Sequence, residues 1–324
     1  MRMGLCLGLM FLLCGCGTPS FLITPVAGDY KLHETVVKDD TGTGKILMIP
    51  VDGVLADVKT GGILQAQENP LSLFVEQLDE AAEDDSIKAV VLRVNSPGGS
   101  VTTSDTMYDA VMRFKAKTHK PVVADALEVD ASGAYYLSCS ADKIMVDPTS
   151  VVGSIGVIFE TFDVADTLQK IGVQPYAIKS AALKDMGSPF KHMTDQEKDI
   201  MQGMVNEYYA RFKSVVTSHR TIKSDDFTMV TDGRVFSGTR AVELGLADQT
   251  GRLEDAIDLA RQLGNAPNAP VIMYQRPYSY TGSIYASAQL PAPQAQAPAS
   301  NELTLKLPMD QSFLPTGFYY LWRP

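Results

Sequence analysis

One stretch constrains the fold more than any other: K-A-V-V-L-R-V-N-S-P-G-G-S, from Lys88 to Ser100. Ala89 to Leu92 is continuously apolar, as a parallel strand covered on both faces requires. Pro97, Gly98 and Gly99 then stop it in a tight turn. Comparable segments recur, with helical patterns between them. Lys45 to Val54 begins the first strand, and Leu71, Phe74, Leu78 and Ala82 share one face of a helix over 71–82. A helix over about 103–116 follows, and 121–127, K-I-M-V-D-P and V-Q-P-Y-A-I read as further strands. A capping box, T-D-Q-E from Thr194 to Glu197, opens a long helix. Its stripe of Ile200, Met204, Tyr208, Phe212 and Val216, widened by Met201 and Val205, suits the core or a subunit interface. Strands alternating with helices predict an α/β fold of parallel β–α–β units.

Composition sets outer limits. The chain has 324 residues, 45% hydrophobic and 20% charged, enough for one large domain with a sizeable core. A net charge of −10 opposes nucleic-acid binding, which calls for a basic stripe. No C-x-x-C or H-E-x-x-H occurs, so neither a structural nor a catalytic zinc is expected.

The chemistry concentrates in D-A-S-G-A-Y-Y, residues 130–136. Ser132 has small neighbours, and Gly133 offers a free N–H just after it. That suits a hydroxyl presented to a peptide carbonyl. The histidines, His33, His119, His192 and His219, lie in no catalytic sequence context, so Lys184 in L-K-D-M-G-S-P is the candidate base. The N-S-P-G-G turn could point N–H groups into a crevice, with Gly99 and Gly133 as oxyanion donors, or it could be a simple strand-to-helix loop. In V-V-G-S-I-G-V-I, Gly153 and Gly156 bracket Ser154, either as a site or as a glycine-bearing strand. Tyr135 and Tyr136 read as packing on the serine helix. Asp130, if close to Lys184, would hold the lysine charged and oppose its role as a base.

Taken in order, N-S-P-G-G, A-S-G-A-Y-Y, G-S-I-G-V, K-S-A-A-L-K-D-M-G-S-P and D-G-R-V-F-S-G-T-R-A-V-E-L-G-L-A-D resemble the protease IV, or signal peptide peptidase A, family. The resemblance covers roughly residues 44–262. It implies a crotonase/Clp-protease-like fold of repeated β-β-α units with a mostly parallel sheet. It implies a Ser–Lys peptidase that uses no cofactor, with Ser132 as nucleophile, Lys184 as base, Ser154 holding the lysine, and Gly99 beside Gly133 at the oxyanion. A self-compartmentalised homo-oligomeric ring and hydrophobic substrates, such as residual signal peptides, are also implied. Two departures are Ala134, where many members carry glycine, and Asp130, often a small residue. Two other readings stay open: a non-catalytic scaffold of the same fold at the membrane, and a crotonase-type acyl-CoA enzyme.

The ends differ from the middle. Residues 1–16 read as a signal peptide with a lipobox. Arg2 precedes an apolar run, Met3 to Leu13, too short to span a bilayer, and L-C-G-C ends at Cys16. Lipidation of Cys16 would anchor the protein on the exported side of a bacterial envelope. An ordinary secretory signal or an uncleaved anchor is the alternative. Residues 17–43 form a polar leader and 44–265 the peptidase domain. Residues 266–324 form a Pro-rich linker, most biased over 289–300, and an aromatic tail with Phe313, Phe318, Tyr319, Tyr320 and Trp322. The tail reads as a segment docked on the body or a neighbour, or as a disordered terminus.

Overall fold

The computed structural model describes residues 31–57, 69–276 and 316–323. Cys16 with its lipobox, and the 289–300 linker, lie outside the described residues. In chain order the first half runs β1 (His33–Lys38), β2 (Lys45–Asp52), α1 (Pro70–Glu83), β3 (Ile87–Ser96), β4 (Gly98–Ser100), α2 (Val101–Thr118), β5 (Val122–Ala131) and α3 (Gly133–Ser138). It continues through β6 (Lys143–Val146), β7 (Val151–Gly153), β8 (Ile158–Glu160), α4 (Ala165–Lys170), α5 (Asp195–His219) and α6 (Ser224–Val230). Last come β9 (Val235–Ser237), α7 (Gly238–Glu243), β10 (Gln249–Thr250), α8 (Leu253–Leu263), β11 (Val271–Gln275) and β12 (Gly317–Leu321).

The main sheet has the order β1-β11-β2-β3-β5-β6-β10, with β7 and β9 attached beside β5. Every pair from β11 to β10 is parallel, as is β5 with β7. Only β1 with β11 and β7 with β9 run antiparallel. The expected α/β fold with a mostly parallel sheet is therefore present. The two strands at one edge come from segments flanking the 44–265 region, since β1 lies before it and β11 after it.

The continuous apolar runs have a simple cause. Along β2, Leu47, Ile49 and Val51 belong to one core cluster and Ile46 and Met48 to another. Side chains alternate across a strand, so both faces of the sheet are covered. On one face lie Phe74 and Leu78 of α1, Val111 and Phe114 of α2, and Tyr135 and Tyr136 of α3, all buried. On the other lie Leu253, Ala256, Ile257 and Ala260 of α8. Tyr135 and Tyr136 are thus packing residues, as read. The segment 173–178, V-Q-P-Y-A-I, is not a strand. It has no regular structure, and Tyr176 and Ile178 are wholly solvent-facing.

A second, three-stranded sheet has the order β4-β12-β8. It lies at the carboxyl ends of β3 and β5, where an open α/β sheet places its crevice. The two sheets meet through Leu55, whose N–H donates to Gly98 O at 2.8 Å and whose carbonyl accepts from Ser100 N at 2.8 Å.

Candidate active site

β5 delivers Ser132 to the crevice and α3 starts just after it. The residue is almost fully buried, with φ 56° and ψ −115°. A serine in that region carries strain of about 1–3 kcal/mol, which surrounding bonds must hold. Its N–H donates to Gly153 O at 2.7 Å, and its carbonyl accepts from Tyr136 N at 2.9 Å. Its side chain caps no helical N–H and makes no hydrogen bond among the described residues, so the hydroxyl is left for another use.

The glycines around it are sterically required. A Cβ on Gly99 would lie 1.9 Å from Leu55 O. One on Gly133 would lie 2.3 Å from Ser104 Oγ and 3.1 Å from Gly99 N. The P-G-G turn and the serine turn are therefore pressed together, with the amides of Gly99 and Gly133 side by side. Gly133 opens α3, where an N–H has no acceptor within the helix. Ser154 follows Gly153, has φ 52°, is nearly buried, and donates its N–H to Arg234 O at 2.8 Å. Gly99 and Gly133 thus lie against one another beside the Ser132 turn, and Ser154 follows the residue whose carbonyl holds the Ser132 N–H.

Lys184 makes no hydrogen bond to any of them. It is exposed, in a turn where its N–H donates to Ala181 O at 3.2 Å. Its ammonium makes no hydrogen bond or ion pair among the described residues. Lys179 and Lys191, by contrast, both engage Asp185, at 2.9 and 3.0 Å, and Lys191 also binds Glu197. Those carboxylates keep two of the segment's lysines occupied and leave Lys184 alone. The segment carries exposed apolar side chains throughout: Phe162, Ile171, Val173, Tyr176, Ile178 and Phe190.

Asp130 is not a partner for Lys184. It is fully buried on β5, opposite Ser96 and Val152, and burial pushes its carboxyl up to about 7. At that depth it forms no ion pair with an exposed ammonium.

Two features escaped the sequence reading. Ser104 of α2 supports the site from below, its hydroxyl donating to Ser100 O at 3.0 Å beside Gly133. β12 lies between β4 and β8, directly across the turn glycines. This is the aromatic tail, docked on the body as the sequence reading expects; what that reading did not give is its pairing with β4 and β8.

Comparison with known proteins agrees with this geometry. The model of peptidase family S49 matches residues 114–267, and that of Clp protease matches 63–147. A candidate protease of Methanocaldococcus jannaschii is 38% identical over 66% of this chain and 68% of its own length. A candidate signal peptide peptidase SppA of Enterococcus faecium is 34% identical over 76% of this chain and 72% of its own. Protease 4 of Haemophilus influenzae is 32% identical over 68% of this chain but only 35% of its own length.

Proposed function

Because the chain belongs to peptidase family S49, that of protease 4 and signal peptide peptidase SppA, and is a serine-type peptidase, we propose that it is an envelope-anchored endopeptidase working through a Ser132–Lys184 dyad. The observation that carries this reading is the strained, buried Ser132, its hydroxyl unused, beside two glycine amides that admit no side chain.

Ser132 Oγ attacks the peptide carbonyl while neutral Lys184 takes its proton. The tetrahedral oxyanion lies against the N–H groups of Gly99 and Gly133. Collapse breaks the C–N bond, and the lysine ammonium returns the proton to the leaving amine. Water then repeats the sequence on the acyl ester, releasing the acid and restoring Ser132. Ser154, one residue past the acceptor of the Ser132 N–H, orients the lysine in this reading.

Lys184 reaches the serine through assembly. Its exposed apolar segment requires a cover, and a second copy that buries it would also desolvate Lys184 and favour the neutral amine. A head-to-tail contact of that kind closes into a ring. The substrates are hydrophobic peptides such as residual signal peptides. The anchor is a lipid on Cys16; no helix among the described residues is long and apolar enough to cross a membrane.

A fluorophosphonate probe tests the dyad. The wild type should be labelled at Ser132 and should hydrolyse peptides, and Ser132→Ala and Lys184→Ala should each lose activity. An unlabelled, inactive wild type would instead favour a scaffold of the same fold. Mass spectrometry of the membrane fraction should find a diacylglycerol-modified N-terminus at Cys16; a free N-terminus at Gly17 would reject the anchor.

A further inference from the structure

The two glycine amides beside Ser132 are held by different means. The Gly133 N–H opens α3, and the turn before it is fixed by the Ser132 N–H on the Gly153 carbonyl. The Gly99 N–H lies in the turn after β3, and that turn is fastened to the loop that follows β2. Leu55 of this loop accepts from Ser100 N and donates to Gly98 O, both at 2.8 Å. Groups alternate in direction along an extended chain, so the Gly99 N–H between them faces away from Leu55. A Cβ on Gly133 would lie 3.1 Å from that nitrogen.

The loop is in turn fixed to the end of β3. Gly53 N donates to Asn95 O at 3.1 Å, and Gly53 O accepts from Ser96 Oγ at 2.6 Å. The same Ser96 oxygen accepts the Gly98 N–H at 3.1 Å. Pro97 between them has no N–H to give, so Gly98 is the first amide of the turn that can be tied. Ser96 has no exposure, which puts its hydroxyl out of reach of solvent. A turn that needed only its own shape would be served by the Gly98 bond alone. The second bond, to a residue 43 positions earlier, fixes where the turn lies against the sheet. Asn95 extends the tie to the strand of the nucleophile, its Oδ1 accepting Val129 N at 3.3 Å where the β3–β5 register shifts.

We propose that Ser96 is a positioning residue for peptide hydrolysis, its buried hydroxyl setting the Gly99 N–H at the spacing from the Gly133 N–H that one oxyanion can bridge. This rests on the peptidase reading of Ser132, Gly99 and Gly133. Without the hydroxyl, the buried Gly98 N–H has no acceptor, and the turn must shift to satisfy it. Gly99 moves with it. An ångström of misplacement, or the loss of one oxyanion donor, costs about a hundredfold in rate. Substrate binding is left nearly unchanged, because the carbonyl draws on those amides mainly as charge develops.

The experiment uses the full chain. Ser96→Ala should lower kcat for a fluorogenic hydrophobic peptide by about a hundredfold, with KM within about twofold of wild type. Ser96→Cys keeps the volume but bonds weakly, and should lose rate as the alanine variant does. Ser96→Thr keeps the hydroxyl on a strand residue and should return kcat to within about threefold of wild type. A peptide aldehyde, acetyl-Leu-Leu-alaninal, reads the amides independently of how much of a sample is folded. Ser132 Oγ adds to its carbonyl carbon, the serine proton passes to Lys184, and the π pair goes to the oxygen held by the two amides. Its Ki should weaken in Ser96→Ala by the same factor as kcat/KM falls, while acetyl-Leu-Leu-alaninamide binds both proteins equally. Thermal unfolding checks that each variant is folded. Wild-type kcat in Ser96→Ala or Ser96→Cys, or a lowered kcat with unchanged aldehyde affinity, overturns this role and leaves the peptidase reading standing. A wild type that hydrolyses no peptide and binds aldehyde and amide alike overturns both.

Discussion

Ser132 holds a backbone conformation that glycine tolerates and serine does not prefer. Ser132→Gly should therefore gain about 1 kcal/mol of stability while losing all hydrolysis, and Ser132→Ala should lose hydrolysis with no such gain. Denaturant unfolding of the two variants side by side checks this; equal stabilities would mean that no strain is stored at the nucleophile. Two buried carboxyls bear on pH. Burial pushes Asp130 up to about 7 and, with Asp147, Glu254, Asp130 and Asp255 adding repulsion, Asp125 up to about 8. The cation in register with Asp125 is Arg93 of β3, which is bonded to Asp52 at 2.8 Å. Both acids hold protons more tightly in the fold than in the unfolded chain, where a carboxyl titrates near 4. The native state therefore binds more protons between about pH 4 and 8, and stability falls as pH rises through that window. The wild-type Tm should drop between pH 5 and 8, and an Asp125→Asn, Asp130→Asn double variant should drop much less. Parallel curves would show that these acids are not protonated in the fold.

The elements divide by how locally their causes are written. α1, β3, α2 and β5 match their expected places because burial on one or both faces dictates the residue pattern itself. The capping box of α5 is present as read, Thr194 and Glu197 bonding each other's backbone N–H. The four-residue stripe was half legible. Phe212 and Val216 are buried, but Ile200, Met204 and Tyr208 are only partly so. Tyr208 and Phe212 hold Tyr320 of β12, a use that depends on a segment a hundred residues away in sequence and so leaves no periodic trace. V-Q-P-Y-A-I was misread for a related reason. Its apolar residues look like a buried strand, yet no part of the described chain covers them. That segment yields its own prediction. Lys179 and Lys184 flank exposed backbone, so trypsin should cut the dilute protein there first and should cut it far more slowly at concentrations where copies assemble. Cleavage at one rate regardless of concentration would mean that no second copy covers the segment.

On the dyad proposed above, a buried Ser132 and an exposed Lys184 make a single chain an incomplete catalyst. The nucleophile, its glycine amides and Ser154 are built by the ends of the parallel sheet, which one chain completes alone. The proposed base rides on a segment whose apolar side chains the described residues leave in water. The serine motif could be read from its neighbours because its geometry is local and steric. Lys184 could be read too, from its sequence context, but the contact between copies that the proposed dyad requires leaves no mark in a single chain's pattern. Mixing inactive chains tests this directly. Ser132→Ala chains keep the lysine, and Lys184→Ala chains keep the serine. If each site takes its serine from one copy and its lysine from the next, random assembly of equal amounts restores about a quarter of wild-type activity, because one neighbour pairing in four is intact. The variants must be dissociated and reassembled together, and fluorophosphonate labelling should fall only on the Lys184→Ala chains in the active mixture. A dyad closed within each chain gives the opposite outcome, since every chain carries a lesion and no mixture recovers activity. Failure to recover activity in verified mixed oligomers would place Lys184 beside its own serine, and the segment that carries it would then have to fold back over the crevice.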